Sequence, residues 1–191
     1  MFIESEKKIL LRLARQSIEY FLDTGKKLVL GRDSSRPVPT PESFIEPRAC
    51  FVTLTKDFEL RGCIGSLEAI RPLYLDVIEN AYAAAFEDGR FFSVTKEELS
   101  EIHIEVSVLT PPQPLVFSSA DELLNKLTVG VDGVIISKGN KSATYLPQVW
   151  DEILDKNDFL SSLCLKADLA PDDWQKPGIK VETYQVEIIT E

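Results

Sequence analysis

Histidine is nearly missing from this chain: His103 stands alone among 191 residues, beside three cysteines, one methionine and two tryptophans. No C-x-x-C pair occurs, so a structural zinc site built from cysteine and histidine is not expected. The thiols, Cys50, Cys63 and Cys164, are odd in number and widely spaced, which fits free thiols in a reducing compartment. Long apolar runs are also missing. No window of about 18 apolar residues occurs, which excludes a transmembrane helix. The first residues pass through Glu4-Ser5-Glu6-Lys7-Lys8 into an amphipathic pattern, so a signal peptide is not expected and the location reads as cytoplasmic. Positive charge is scarce, with 21 Lys and Arg against 31 Asp and Glu for a net charge of -10. Nucleic acids are therefore poor partners, since a duplex-binding surface needs a basic excess. Neither G-x-x-x-x-G-K-[ST] nor G-x-G-x-x-G occurs, so nucleotide loops of those types have no support.

What is present reads as one globular domain over 1–191: 44% of residues are apolar and 27% charged, enough length and apolar content to bury a core. Leu10, Leu13, Ala14, Ser17, Ile18, Phe21 and Leu22 recur at helical spacing, predicting a helix from Ser5 to Thr24 that stops at Gly25. Four prolines between Lys26 and Pro47 predict a long surface loop. Ala49 to Thr55 and Glu59 to Ile64 read as a β-hairpin closed at Lys56-Asp57-Phe58. Pro72 then suits the start of a helix running to about Glu87.

Thr95 and Glu98 form a capping box. Ile102 to Leu109 alternates with period two, placing Ile102, Ile104, Val106 and Val108 on one face. A second capping box, Ser119 with Glu122, opens a helix to Leu127. Val129–Ile136 and Ala143–Leu146 flank Gly139-Asn140 as a second hairpin. Gln148–Asp155 and Phe159–Leu169 read as helices, and Ile179–Ile189 as one last strand. Hairpins interspersed with helices give an α+β fold with mostly antiparallel sheets.

The densest motif is Leu60-Arg61-Gly62-Cys63-Ile64-Gly65. Two glycines around a thiol mark close backbone approach, and Arg61 lies on the same strand face as Cys63. Cys63 reads either as a nucleophile, which needs thiolate character, or as a small buried hydrophobe. Cys50 and Cys164 sit in apolar runs and read as core. Cys63, His103 and Glu105 would form a triad only if their strands lie together. Asp88 and Arg90, at the end of the second helix, read either as a structural ion pair or as a fork for a ligand carboxylate or phosphate.

This hexapeptide resembles the signature of the AMMECR domain family, which includes the protein A of the AmmeMemoRadiSam system. The resemblance continues in Phe51–Leu54, Ala81–Phe92, Val106–Thr110, Tyr145–Val149 and Leu163–Ala167. It implies an α/β arrangement of a larger and a smaller lobe with a cleft at their junction, and association with Memo-type and radical-SAM proteins. It implies no settled activity, so whether the protein is an enzyme stays open, and no cofactor or metal follows. The resemblance groups Arg61, Gly62, Gly65, Asp88 and Arg90 as ligand-binding residues around Cys63 as the catalytic candidate. Two arginines beside a thiol in an acidic protein would select a small anionic ligand. A non-enzymatic interaction module is the alternative, and RNA binding, once suggested for such a signature, is opposed by the acidic charge.

Overall fold

A computed structural model describes residues 1–29 and 41–191. Half of the expected proline-rich loop, residues 30–40, lies outside the described residues. The chain begins with helix α1 (Glu4–Thr24), strands β1 (Cys50–Lys56) and β2 (Glu59–Gly65), and helix α2 (Leu73–Phe86). Strands β3 (Ile102–Leu109) and β4 (Gln113–Pro114) and helix α3 (Ala120–Lys126) follow. Then come β5 (Gly133–Lys138), β6 (Lys141–Tyr145), α4 (Lys156–Lys166), β7 (Lys180–Tyr184) and β8 (Val186–Thr190). The fold is α+β, with two four-stranded sheets in the orders β2-β1-β3-β8 and β4-β7-β5-β6. Two compact units result: Met1–Leu109 with Glu187–Glu191, and Thr110–Val186.

In the first unit, β1 pairs antiparallel with β2 on one side and β3 on the other. The alternation of β3 holds as expected: Ile102, Ile104, Val106 and Val108 are all buried. The stripe of α1 and the apolar face of α2 complete the same core with Val52 and Leu54 of β1. Each such side chain gains about 1.5–3 kcal/mol over exposure. Helix α1 ends on Gly25 at φ 67, where the left-handed geometry costs glycine nothing. Helix α2 starts after Pro72, whose own backbone is extended. Its small face is what permits it to fold back over the strand just before it: the carbonyl of Ala84 sits where Gly62 would carry a Cβ, 2.2 Å away.

The second unit has its own core of Leu123, Val134, Ile136, Trp150, Phe159, Leu163 and Val181. Trp150 stacks on Phe159 with ring centroids 3.5 Å apart, and its indole N–H donates to the Asp132 carbonyl at 2.8 Å. Ser119 caps α3 by accepting from the Glu122 N–H, and the Asp155 carboxylate caps α4 at two backbone N–H groups.

Four expectations need correction. Val129–Asp132 is a turn, not strand; Gly130 takes φ 76 and the Asp132 carboxylate accepts the Thr128 N–H at 2.8 Å. The expected helix at Gln148–Asp155 is a short 3-10 segment over Pro147–Asp151. The next helix starts at Lys156, ahead of Phe159, because Asp155 caps it. The expected last strand is two strands in different sheets, parted at Gln185, whose N–H and C=O bond Thr110. The apolar positions change phase there, from Ile179 and Val181 to Tyr184, Val186 and Ile188, so one period-two strand does not run through the break.

Candidate functional site

Cys63 lies in β2, the edge strand of the first sheet. Its backbone is met on the open edge by side chains. The Asp88 carboxylate accepts the Cys63 N–H at 2.9 Å, and the Arg90 guanidinium donates to the Cys63 carbonyl at 3.2 Å. Asp88 and Arg90 are also joined to each other at two points, 2.9 and 2.7 Å. The pair is a clasp that stands where a neighbouring strand would pair, one way of closing a sheet edge. Asp88 is 5% exposed and Arg90 58% exposed. The Arg90 fork holds the Asp88 carboxyl far below its usual range against the opposing effect of burial, with the Cys63 and Arg90 N–H groups adding to it. Asp88 in turn raises Arg90. Both N–H of Arg90 Nη1 remain without a protein acceptor among the described residues.

The Cys63 thiol is half-buried and accepts a hydrogen bond from the Thr53 hydroxyl at 3.3 Å. Thr53 is the cross-strand partner of Cys63 on β1, and Glu105 is the partner of Thr53 on β3. The three side chains form one row on one face of the sheet, at a strand spacing of about 4.8 Å. Ser107 donates to Glu105 at 3.1 Å in the same strand. His103 is exposed and stands opposite Thr55, so it does not share the row with Cys63.

Arg61 falls where the register of β2 against β1 shifts, between the Leu54–Gly62 and Thr55–Leu60 pairs, so regular alternation does not set its face, and its guanidinium is committed. It bonds both oxygens of Glu98 at 3.2 and 2.8 Å and donates to the carbonyls of Phe92 at 2.8 Å and Ser93 at 3.4 Å. Four of the five N–H groups of an arginine are thereby spent. Glu98 also accepts the Thr95 N–H at 2.9 Å, one of the two hydrogen bonds of the expected capping box. Burial raises the Glu98 pKa, but the Arg61 and Thr95 hydrogen bonds outweigh it and the carboxyl is lowered. Arg61 therefore pins the segment that follows Arg90.

Gly62 and Gly65 are required by space, since neither has positive φ. A Cβ at Gly65 would lie 2.3 Å from the Phe51 ring and 2.7 Å from the Cys50 carbonyl. The sequence reading missed Asp76, fully buried in the first turn of α2. Its carboxylate accepts from the Cys50 N–H at 2.9 Å, Ser66 Oγ at 2.9 Å, Arg71 Nε at 2.8 Å and Asn80 Nδ2 at 3.0 Å. A carboxylate and an amide four apart on the apolar face of a helix were the available signal. Burial, and then the Asp76 charge, push the Cys50 thiol well up; burial pushes Cys164 up as well.

The chain belongs to the AMMECR1 family, whose model matches residues 11–189. It is 41% identical to Protein MK0488 of Methanopyrus kandleri over 97% of this chain and 88% of that protein. Protein MJ0810 of Methanocaldococcus jannaschii is 43% identical over 94% of this chain and 87% of its own length. The crystal structure of the uncharacterised protein PH0010 from Pyrococcus horikoshii matches with a TM-score of 0.76 and 38% identity, covering 98% of this chain and 92% of that one.

Proposed function

We propose that the β2 edge is a thiol site for a small anionic ligand or modified residue, with Cys63 as the reacting or contacting group and Arg90 as the anion holder. The observation that carries this reading is the meeting at Cys63 of a hydroxyl donated to its thiol and an exposed guanidinium bonded to its carbonyl. Cys50 and Cys164 are buried and their thiols are held in the neutral form. Arg90 keeps Nη1 for a carboxylate or phosphate oxygen, while Asp88 fixes its orientation through the other two nitrogens. In this reading Gly62, Gly65, Arg61 and Asp88 build the site and do not touch the ligand. The protein would be cytoplasmic and would act beside Memo-type and radical-SAM proteins.

Residue-resolved alkylation of the native protein, between about pH 6 and 8.5, tests the thiol. Cys63 is expected to react first by a wide margin. Equal protection of Cys63 and Cys164 would remove the nucleophile.

The second reading is a non-enzymatic interaction module. It is favoured by the spending of Arg61, Asp88 and much of Arg90 on backbone groups, which is what holding a surface in shape requires. Co-purification with a Memo-type partner separates the two. Partner binding unchanged in Cys63→Ser, with no loss of pathway activity, would favour the module.

A further inference from the structure

The clasp on β2 closes only part of that edge. Asp88 and Arg90 take the Cys63 N–H and C=O from outside, so the Cys63 backbone faces away from β1. Outward-facing residues recur at every second position of a strand. Gly65, paired with Phe51 two positions along, therefore turns its own N–H and C=O to the same open edge. Neither group has a partner among the described residues.

Arg90 is aimed along the edge. Its Nε and Nη2 face the two Asp88 oxygens at 2.9 and 2.7 Å, and Nη2 also reaches the Cys63 carbonyl. A guanidinium is planar and rigid, so Nη1 projects from the side opposite that fork. Asp88 stands at the Cys63 N–H, so Nη1 points past the Cys63 carbonyl toward Gly65. The free Nη1 and the free Gly65 N–H are thus donors to one place, with the Gly65 C=O just beyond as an acceptor.

These three groups match the end of a peptide. A residue added antiparallel opposite Gly65 exchanges both backbone hydrogen bonds with it. Its chain runs toward Cys63, where the next residue would meet the guanidinium that already holds the Cys63 carbonyl. The added strand must stop there. A carboxylate at that point replaces the clash with a charge-assisted hydrogen bond to Nη1. A parallel strand would instead bring its amino end to the guanidinium, cation against cation. Residues directly opposite share a face. On the Gly65 face the Phe51 ring lies across the glycine, 2.3 Å from where a Cβ would be, and offers the last side chain an apolar contact. Two residues upstream the peptide would pass Leu67, which is exposed.

We propose that the Gly65 edge binds the C-terminal residue of a partner protein. That residue is apolar, its carboxylate is held by Arg90 Nη1 and the Gly65 N–H, and its own N–H donates to the Gly65 C=O. The proposal rests on the reading of Arg90 as the anion holder, adds a ligand contact for the Gly65 backbone that the reading above does not include, and needs no reaction at Cys63.

The test titrates the nitrogen-15-labelled full chain with the peptide acetyl-Gly-Ala-Val-Leu, free at its carboxyl end. Concentrations up to about 10 mM reach millimolar sites. A saturable shift of the Gly65 amide is expected. The same peptide with an amidated C-terminus should bind at least about tenfold more weakly, the worth of one charge-assisted hydrogen bond. Sodium acetate, which carries the charge without the strand contacts, should be weaker than the acid peptide by at least as much. Arg90→Gln should bring acid and amide to equal affinity, a comparison made within the variant, so that lost stability does not imitate it. If that variant does not fold, the ratio of acid to amide in the parent decides alone. No saturable shift at Gly65, an amide that binds as tightly as the acid, or acetate that binds as tightly as the peptide would each overturn the proposal. Cys63 alkylated first in a protein that ignores the peptide would leave the thiol site standing, so the two readings fail separately.

Discussion

The two sheets have the same size, and each contains a hairpin closed by a two-residue turn, but they use their polar groups in opposite ways. In the first sheet Asp88 and Arg90 are turned onto each other and onto the Cys63 backbone, Arg61 onto Glu98 and the Phe92 carbonyl, and Asp76 onto the Cys50 N–H. In the second, Lys138 pairs with Asp173 and Lys176 with Asp172, and the side chains of Ser137, Lys180 and Glu182 make no hydrogen bond or ion pair among the described residues. The turns differ too. Between β5 and β6, Gly139 takes φ 64, the glycine-first geometry that suits a twisted hairpin. Between β1 and β2, Asp57 and Phe58 both take positive φ, 53 and 65, without a glycine. The contrast teaches that the first sheet accepts local cost where the second does not, and then stabilises its motif strand with charged clasps.

If the first sheet depends on its polar interior, Asp76→Ala should do the most damage. It leaves the buried Cys50 N–H and the Arg71 cation without their carboxylate acceptor, at about 3–5 kcal/mol, measurable by urea unfolding. The close approaches come next and can be compared across the sheets. Gly62→Val drives a side chain into the Ala84 carbonyl and Gly65→Val into the Phe51 ring and Cys50 carbonyl, at about 3 kcal/mol or more for the former. Gly133→Ala in the second sheet adds one methyl and meets a side chain, the Tyr184 ring at 2.4 Å, instead of a backbone carbonyl, so the loss should be smaller. Equal losses at Gly62 and Gly133 would break the comparison.

Asp88→Asn should cost about 1–3 kcal/mol at neutral pH by removing the anion from the clasp. Because the fold lowers the Asp88 pKa, its contribution is complete above the unfolded carboxyl value, about 3.9, and is lost as pH falls below it. Acid unfolding of the variant should therefore be less steep below about pH 4 than that of the parent. The smallest effect should have the opposite sign. Phe58 is fully exposed, so Phe58→Gly relieves the left-handed strain without losing a packed ring. It should gain up to about 1 kcal/mol, read as a rise in melting temperature.

Much of the fold was legible where periodicity and capping agreed. Helix α1, strand β3 and the first hairpin follow their expected spans to within a residue or two. The fold-back of α2 was also legible, because Gly62 of the strand and Ala84 of the helix are the two halves of one contact. The site was legible only as a group of residues. Arg61 and Arg90 look alike in sequence, yet one is spent on the Glu98 carboxylate and the other keeps Nη1 open. That difference depends on which loop passes each guanidinium, a long-range fact that local spacing does not contain. The same holds for Asp76, which accepts the Cys50 N–H from 26 residues away.

The order in which the chain is made gives the discontinuous first unit a further property. Its fourth strand, β8, follows the entire second unit in sequence. At a synthesis rate of about 5–20 residues per second, the roughly 80 residues after β3 take about 4–16 s to appear. During that interval the outer edge of β3 has no partner, while the β2 edge already has its Asp88–Arg90 clasp. The nascent chain is thus sealed on one side of its first sheet and open on the other. The open side is the strand richest in Ile and Val, so β3 is where a ribosome-bound chain has most need of a chaperone.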